Sequence, residues 1–328
     1  MIRSKYDEAL FFWKKDNQLQ GLIVIHVDDF LYGGTAEFHA EIMSKITSIF
    51  EIGAMNSTPM KYLGMKIHQD KMKIVIDQKD YIDNTDEIVL SSSKDKDRVL
   101  TNDEQHNYRA ICGQLNWIAS QSRPDASFDV CQLSTKLNKA TVRDLLCANK
   151  AMKKIKSNDI KLRFNKLSSP LHLVAYCDAS YANLPNGASQ GGMILFLADN
   201  KGNHSPISWS SRKLRRVCRS TITAETMSML DAIDASIWIS HIINEFNDSK
   251  LGTTIIKTDN MSLTEAVHST TAVEEKRLRV EIASIRESIR DDLVEVQWLR
   301  KEDQLADALT KQGADASRLL NVLRKSNI

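Results

Sequence analysis

The chain has 328 residues, 42% of them hydrophobic and 26% charged, with a net charge of +2. That mix can bury the cores of about two ordinary domains and excludes wholesale disorder, and with 12 Gly and 5 Pro it also excludes collagen-like and low-complexity classes. No apolar run approaches the ~20 residues needed to span a bilayer, and the opening Met-Ile-Arg-Ser-Lys-Tyr-Asp-Glu lacks a secretory apolar stretch, so no membrane partner is expected. Cysteines at 112, 131, 147, 177 and 218 form no Cys-x-x-Cys, which fits a reducing, intracellular setting. The eight histidines include no His-x-x-x-His pair, so no zinc site is expected.

Residues 22–27 read as a buried strand that ends in Asp28-Asp29, and strand character resumes at Phe30 before Gly33-Gly34. This predicts a hairpin with carboxylates near its tip. Phe38, Ile42, Ile46 and Ile49 give helical spacing over 36–50, and short strands are predicted at 62–67 and 73–77. The polar stretch 91–106 reads as a loop, followed by helices over 107–120 and 125–156 that break at Arg123-Pro124. A boundary is placed at 165–170. Beyond it the pattern predicts strands at 171–177, 192–198 and 206–210, a long helix at 221–246, and a strand at 253–257. Helices at about 261–268 and 275–291, a strand at 294–299 and a helix opening at 304–311 complete the order β-β-β-α-β-α-α-β-α.

Charge is nearly balanced on either side of residue 170, with 25 basic and 22 acidic residues before it and 19 and 20 after it. Locally it is not. Residues 136–166 hold ten basic residues against Asp144 and Asp159, and Arg212, Lys213, Arg215, Arg216 and Arg219 fall within eight residues without an acid. Such patches suit a polyanion, although a solvated helix face explains the longer run equally well.

Four acids occupy telling positions. Asp178 follows the predicted first strand of the second part, Glu225 lies in the first turn of the long helix, Asp259 ends a strand, and Asp307 opens the last helix. Glu225 shares a helix face with Met229, Ala232 and Ile233, so its carboxylate points toward the sheet. Carboxylates that converge need cations, because like charges raise each other's pKa. Two Mg²⁺ ions, with their preference for oxygen ligands, would satisfy such a set and activate a water against a phosphodiester.

These acids, in this element order, resemble the D-E-D-D set of ribonuclease H. The strings Tyr176-Cys-Asp-Ala, Ile207-Ser-Trp-Ser-Ser-Arg-Lys, Thr223-Ala-Glu, Asp259-Asn and Ala306-Asp-Ala-Leu-Thr-Lys are similar to those of copia-type LTR retrotransposon ribonuclease H over about 171–313. The resemblance implies a five-stranded mixed sheet with flanking helices. It implies Asp178, Glu225, Asp259 and Asp307 as catalytic metal ligands for two Mg²⁺ ions, replaceable by Mn²⁺, and cleavage of the RNA strand of an RNA–DNA hybrid. The family often carries Lys-His-Ile-Asp where this chain has Lys276-Arg277-Leu278-Arg279, a departure that puts product release or site geometry in doubt.

The first part resembles the same polyprotein. Ile25-His26-Val27-Asp28-Asp29 looks like the reverse transcriptase Tyr-x-Asp-Asp box, and Tyr62-Leu63-Gly64-Met65-Lys66-Ile67 resembles the primer-gripping segment. Residues 78–81, Tyr108-Arg109 to Trp117, and Ser122-Arg123-Pro124-Asp125 resemble the region between palm and ribonuclease H. The resemblance implies a partial palm with helical thumb or connection over 1–165, ribonuclease H over 171–313 and a helical tail over 314–328. It further implies that Asp28 and Asp29 are metal-binding and that Tyr62 and Gly64 touch a template–primer. A polymerase of this kind needs a further metal-binding aspartate upstream of the hairpin. With 27 residues ahead of Asp28, no DNA polymerase activity is expected from this chain outside a longer Pol polyprotein. By the same resemblance the setting is cytoplasmic particles or the nucleus.

The five basic residues 212–219 are expected near hybrid phosphates. Ser189-Gln190-Gly191-Gly192 allows close backbone approach to a nucleic-acid strand or forms a plain hairpin turn. Trp117, Trp209, Trp238 and Trp298 are expected in the core, with Cys177 as a buried small residue. Two rival readings are a catalytically inactive nucleic-acid-binding remnant and a nuclease-fold protein acting on DNA.

Overall fold

The computed structural model describes residues 1–90, 93–247, 250–271, 273 and 275–327. Three sheets and a helical cluster organise them. The first sheet is an antiparallel meander of β1 (Ile2–Arg3), β2 (Leu10–Lys15), β3 (Gln18–His26) and β4 (Asp29–Gly34), in that order. The turn between β3 and β4 holds Val27 in the left-handed region at φ 54° and pairs His26 with Asp29, so the acidic pair sits at the tip as expected. Thr35 caps a helical run made of α1 (Ala36–Phe38), a π-helical stretch His39–Met43, and α2 (Ser44–Ile49). Phe38, fully buried, lies flat on the strands, where a Cβ at Gly21 or Gly34 would come within 2.3 and 2.5 Å of its ring.

The second sheet runs β5 (Met60–Tyr62), β6 (Met65–Gln69), β7 (Lys73–Asp77) and β8 (Leu162–Asn165), all antiparallel. Between β7 and β8 the chain forms α3 (Lys79–Asp83), α4 (Asn102–Gln121), α5 (Ser127–Ser134) and α6 (Val142–Ser157). Helix α4 begins inside the stretch expected to be loop, because Thr101 and Glu104 form a capping box that starts it early. Ser91 and Ser92 of that stretch lie outside the described residues. Tyr108, Ile111, Leu115, Leu145 and Met152 fill the core between these helices.

The helical break at Arg123-Pro124 is held by a buried ion pair. Arg123 Nε and Nη2 each donate to an Asp125 carboxylate oxygen at 2.8 Å, and Nη1 donates to the Ile155 and Asn158 carbonyls at 2.8 and 2.9 Å. Both side chains are 1% exposed. One guanidinium thus ties the start of α5 to the end of α6.

The third sheet has the order β11-β10-β9-β12-β13, formed by β9 (Leu171–Leu184), β10 (Ala188–Asp199), β11 (His204–Lys213), β12 (Gly252–Thr258) and β13 (Val294–Trp298). Strands β9 to β11 are antiparallel, while β12 runs parallel to both β9 and β13. Helix α7 (Thr221–Phe246), α8 (Met261–His268) and α9 (Leu278–Arg290) bury one face against Leu173, Ala175 and Cys177. The opposite face, with Val174, Tyr176, Ile194 and Phe196, receives the 3₁₀ turn Leu305–Leu309 and α10 (Ser317–Lys325). This is the expected five-stranded mixed sheet. Ile160 and Leu162, from before the 165–170 break, share this second core, and the tail helix α10 packs into it through Leu319, Val322 and Leu323. Arg123→Ala, which strands a buried carboxylate and two carbonyls, should lower unfolding stability by about 3–5 kcal/mol in urea titration, whereas replacing Arg123 and Asp125 together by apolar residues should cost less than the single change.

Candidate active site

Strand β9 is longer than its apolar run, so Asp178 lies within it and not after it, paired with Gly192 of β10. The strand alternation puts Asp178 on the face of Val174 and Tyr176, toward the 3₁₀ turn, and leaves it 1% exposed. Asp259 directly follows β12, where Trp298 Nε1 donates to its carbonyl at 3.1 Å and Asn260 caps α8. The expected helix at 304–311 is the short 3₁₀ turn Leu305–Leu309. Its path is fixed from outside: Gln304 accepts from the Ala306 N–H at 3.1 Å, and Ser211 Oγ donates to the Leu309 carbonyl at 2.5 Å.

These placements bring Asp178, Asp259 and Asp307 together, one oxygen of each lying within 4.8 Å of the others. Glu225 stands outside that trio. It is 5% exposed just past the first turn of α7, and its Oε2 is buried without a hydrogen-bond partner. Burial, followed by the Asp178 and Asp259 charges, pushes the Glu225 carboxyl up to about 9. Burial likewise raises Asp178 to about 6, against the opposing pull of Lys311 and a hydrogen bond from Thr310.

Thr310 and Lys311, which enter the sequence pattern only as the end of the Ala306-Asp-Ala-Leu-Thr-Lys string, also reach the cluster. Thr310 Oγ1 donates to Asp178 Oδ2, and Lys311 Nζ pairs with Asp307 and, at 3.3 Å, with Asp178. The signal available in the sequence was a lysine four residues beyond an aspartate. Ser228, one turn on from Glu225, donates to the carbonyls of Asp178 and Gly192 at 2.8 and 3.1 Å and locks α7 to the sheet beneath the acids.

Gly191 and Gly192 are neither a hairpin turn nor an open backbone. They sit inside β10, where a Cβ on Gly192 would lie 2.7 Å from Leu309 Cβ and 2.8 Å from Thr310 Cγ2. The missing side chain is what lets the turn carrying Asp307 lie against the sheet. Trp238 and Trp298 depart from the expected core placement, being 49% and 43% exposed, because α7 and β13 turn those positions outward. Cys177 is buried, as expected, and burial holds its thiol well above the usual range.

The remaining candidates lie elsewhere. Asp28 and Asp29 are exposed at the first hairpin tip, and among the described residues no group of three or more metal-ligating side chains includes them. Neither β1 nor β2 carries an acid. Gly64 lies in the tight turn between Tyr62 and Met65, with Leu63 and Gly64 at φ 48° and 75°, and burial together with the Asp29 charge raises the Tyr62 hydroxyl. Of the basic run, Arg212 pairs with Asp231 and Arg216 with Glu281, while Lys213, Arg215 and Arg219 are exposed. Arg279 donates to the Val273 carbonyl at 2.7 Å, and Arg277 lines a groove with Arg216 and Arg219.

Comparison with known proteins finds retroelement relatives. A retrovirus-related Pol polyprotein from transposon RE1 of Arabidopsis thaliana is 30% identical over 210 residues, 62% of this chain and 14% of that protein. The chain is a homologue of retrotransposon Pol polyproteins. A transposon Ty5-1 protein of Saccharomyces cerevisiae is 27% identical over 213 residues, 60% of this chain and 67% of its own length. A foamy viral protease-reverse transcriptase, solved with an RNA/DNA hybrid, covers 89% of this chain and 37% of its own at TM-score 0.50 and 16% identity, and so shares the fold. No family model matches. The chain thus spans about one seventh of the Arabidopsis Pol relative, at 14% of its length.

An acid whose folded pKa lies above its unfolded value binds more protons when folded, so its contribution to stability is lost as pH rises through that interval. In chelator, the thermal midpoint should therefore fall between the ordinary carboxylate range and pH about 9, and Glu225→Gln should flatten that slope. Gly192→Ala should lower stability by about 1–3 kcal/mol, read in the same melts.

Proposed function

We propose that the chain carries a ribonuclease H that hydrolyses the RNA strand of an RNA–DNA hybrid with the help of two divalent ions. The observation that carries this reading is the convergence of Asp178, Asp259 and Asp307 beside the buried Glu225, on a ribonuclease H-like sheet. An all-carboxylate donor set suits Mg²⁺ or Mn²⁺, and the orphaned Glu225 Oε2 is an oxygen without a protein partner. Such ions, when bound, activate water and stabilise the leaving oxygen of a phosphodiester.

The chain's own residues divide the remaining work. Asp178 supplies the fixed carboxylate, immobilised within a central strand and oriented by Thr310. Asp259 and Asp307 come from more open segments and close the cluster from two sides. Glu225 approaches from α7, held to the sheet by Ser228. Lys213, exposed at the end of β11, and Arg215 and Arg219, exposed beyond it, would meet backbone phosphates of the hybrid, and the first 165 residues would handle the template–primer. We extend no polymerase activity to this chain.

The rival reading, a nucleic-acid-binding remnant, draws on Arg277 and Arg279, and one assay separates the two. A labelled RNA strand annealed to DNA should be cut in Mg²⁺ or Mn²⁺, leaving a 5′-phosphate, and Asp259→Asn should slow cutting by at least about a hundredfold, the loss expected when several kcal/mol of charge stabilisation disappear. Hybrid binding without cutting by the folded protein would overturn the hydrolytic reading.

A further inference from the structure

Lys311 sits where no acid-cluster argument calls for it. Its ammonium bridges Asp307 and Asp178, the latter at 3.3 Å, on the turn already pinned by Ser211 and by Asn183, whose Nδ2 donates to the Thr310 carbonyl at 3.1 Å. The two partners differ in freedom. The Asp178 side chain is 2% exposed and cannot leave, whereas Lys311 is 36% exposed at the mouth of a cavity it lines with Lys301, Glu302, Gln304, Asp307 and Arg318. A flexible four-carbon stem ending in a point charge can swing into that cavity without disturbing the sheet.

We infer that Lys311 is a built-in counter-cation of the acidic cluster, competing with the divalent ion for Asp178 and Asp307 and so setting that ion's affinity. The inference rests on the proposed metal site. In the absence of ion, the ammonium offsets the repulsion among the aspartates. When an ion enters, it must displace the ammonium from Asp178 Oδ2, so each binding event works against an existing ion pair. Lys311 therefore acts as a positioning and tuning residue and not as a ligand.

The experiment titrates the full chain with Mn²⁺ and counts free ion by electron paramagnetic resonance. Lys311→Gln should bind Mn²⁺ at least about tenfold tighter, because a unit charge at this range in a partly buried site is worth more than that factor. Lys311→Arg, which keeps the charge, should stay near the parent. In chelator, Lys311→Gln should melt below the parent. Lys311→Met, which keeps the stem, serves as a second uncharged variant, and circular dichroism checks that each variant folds. Unchanged or weaker Mn²⁺ binding by folded Lys311→Gln and Lys311→Met, while Asp259→Asn abolishes binding, would overturn this inference alone. No Mn²⁺ binding by the parent chain, or binding indifferent to Asp259→Asn, would overturn the metal-site reading and this inference with it.

Discussion

Bringing several like charges into one partly buried corner is the constraint on which this half of the molecule depends. A central strand does not readily hold an aspartate that is 1% exposed, and a helix facing a sheet does not readily hold an unpartnered glutamate oxygen. The fold tolerates both because it supplies compensation locally. Thr310 and Lys311 reach Asp178, Ser228 clamps the strand carbonyls below it, and Gly192 leaves the space through which Thr310 and Leu309 approach. The strain that remains is the kind expected where a site is shaped for chemistry and not for stability.

The helices that precede the third sheet are part of this support. Gln132 of α5 donates to Gln190 at 3.3 Å, Gln190 donates to Ser211 at 2.8 Å, and Ser211 donates to the Leu309 carbonyl. Trp209 Nε1 donates to the Ala119 carbonyl at the end of α4, 2.8 Å away. A continuous hydrogen-bond chain therefore runs from the helical segment to the turn that carries Asp307. The Arg123–Asp125 pair, which joins α5 to α6, keeps the near end of that chain in place. Arg123, part of the string that resembles a retroelement segment, has a structural occupation that its buried pairing explains.

Much of this was legible in the sequence because periodicity reports burial. The span of α7, the span of α8 and the succession of the five strands along the chain follow from apolar spacing that the fold does use. The four acids were legible for a different reason: each adjoins an apolar run, although Asp178 lies inside its strand and not at its end. What local sequence does not encode is set by partners distant in sequence. Strand β9 continues past Cys177 through polar residues because β10 pairs with them, and no local pattern announces that. The turn at 305–309 is a 3₁₀ segment because Ser211, Gln304 and Gly192 shape it from outside. Gly191-Gly192 reads equally as a close approach to nucleic acid or as a plain turn, whereas here it marks a close approach of Leu309 and Thr310 inside a strand. Trp238 and Trp298 read as core because their neighbours are apolar, yet side-chain direction, not neighbourhood, decides exposure.

The measurement that bears most directly on the central claim is crystallographic. Crystals of the full chain grown or soaked in Mn²⁺ should show anomalous density among the carboxylates of Asp178, Asp259 and Asp307, with Glu225 Oε2 turned to the ion or its water and the Lys311 ammonium withdrawn from Asp178. Density at the exposed Asp28-Asp29 tip alone, or an acidic cluster that holds Lys311 in place and excludes Mn²⁺ at millimolar concentration, would contradict the account.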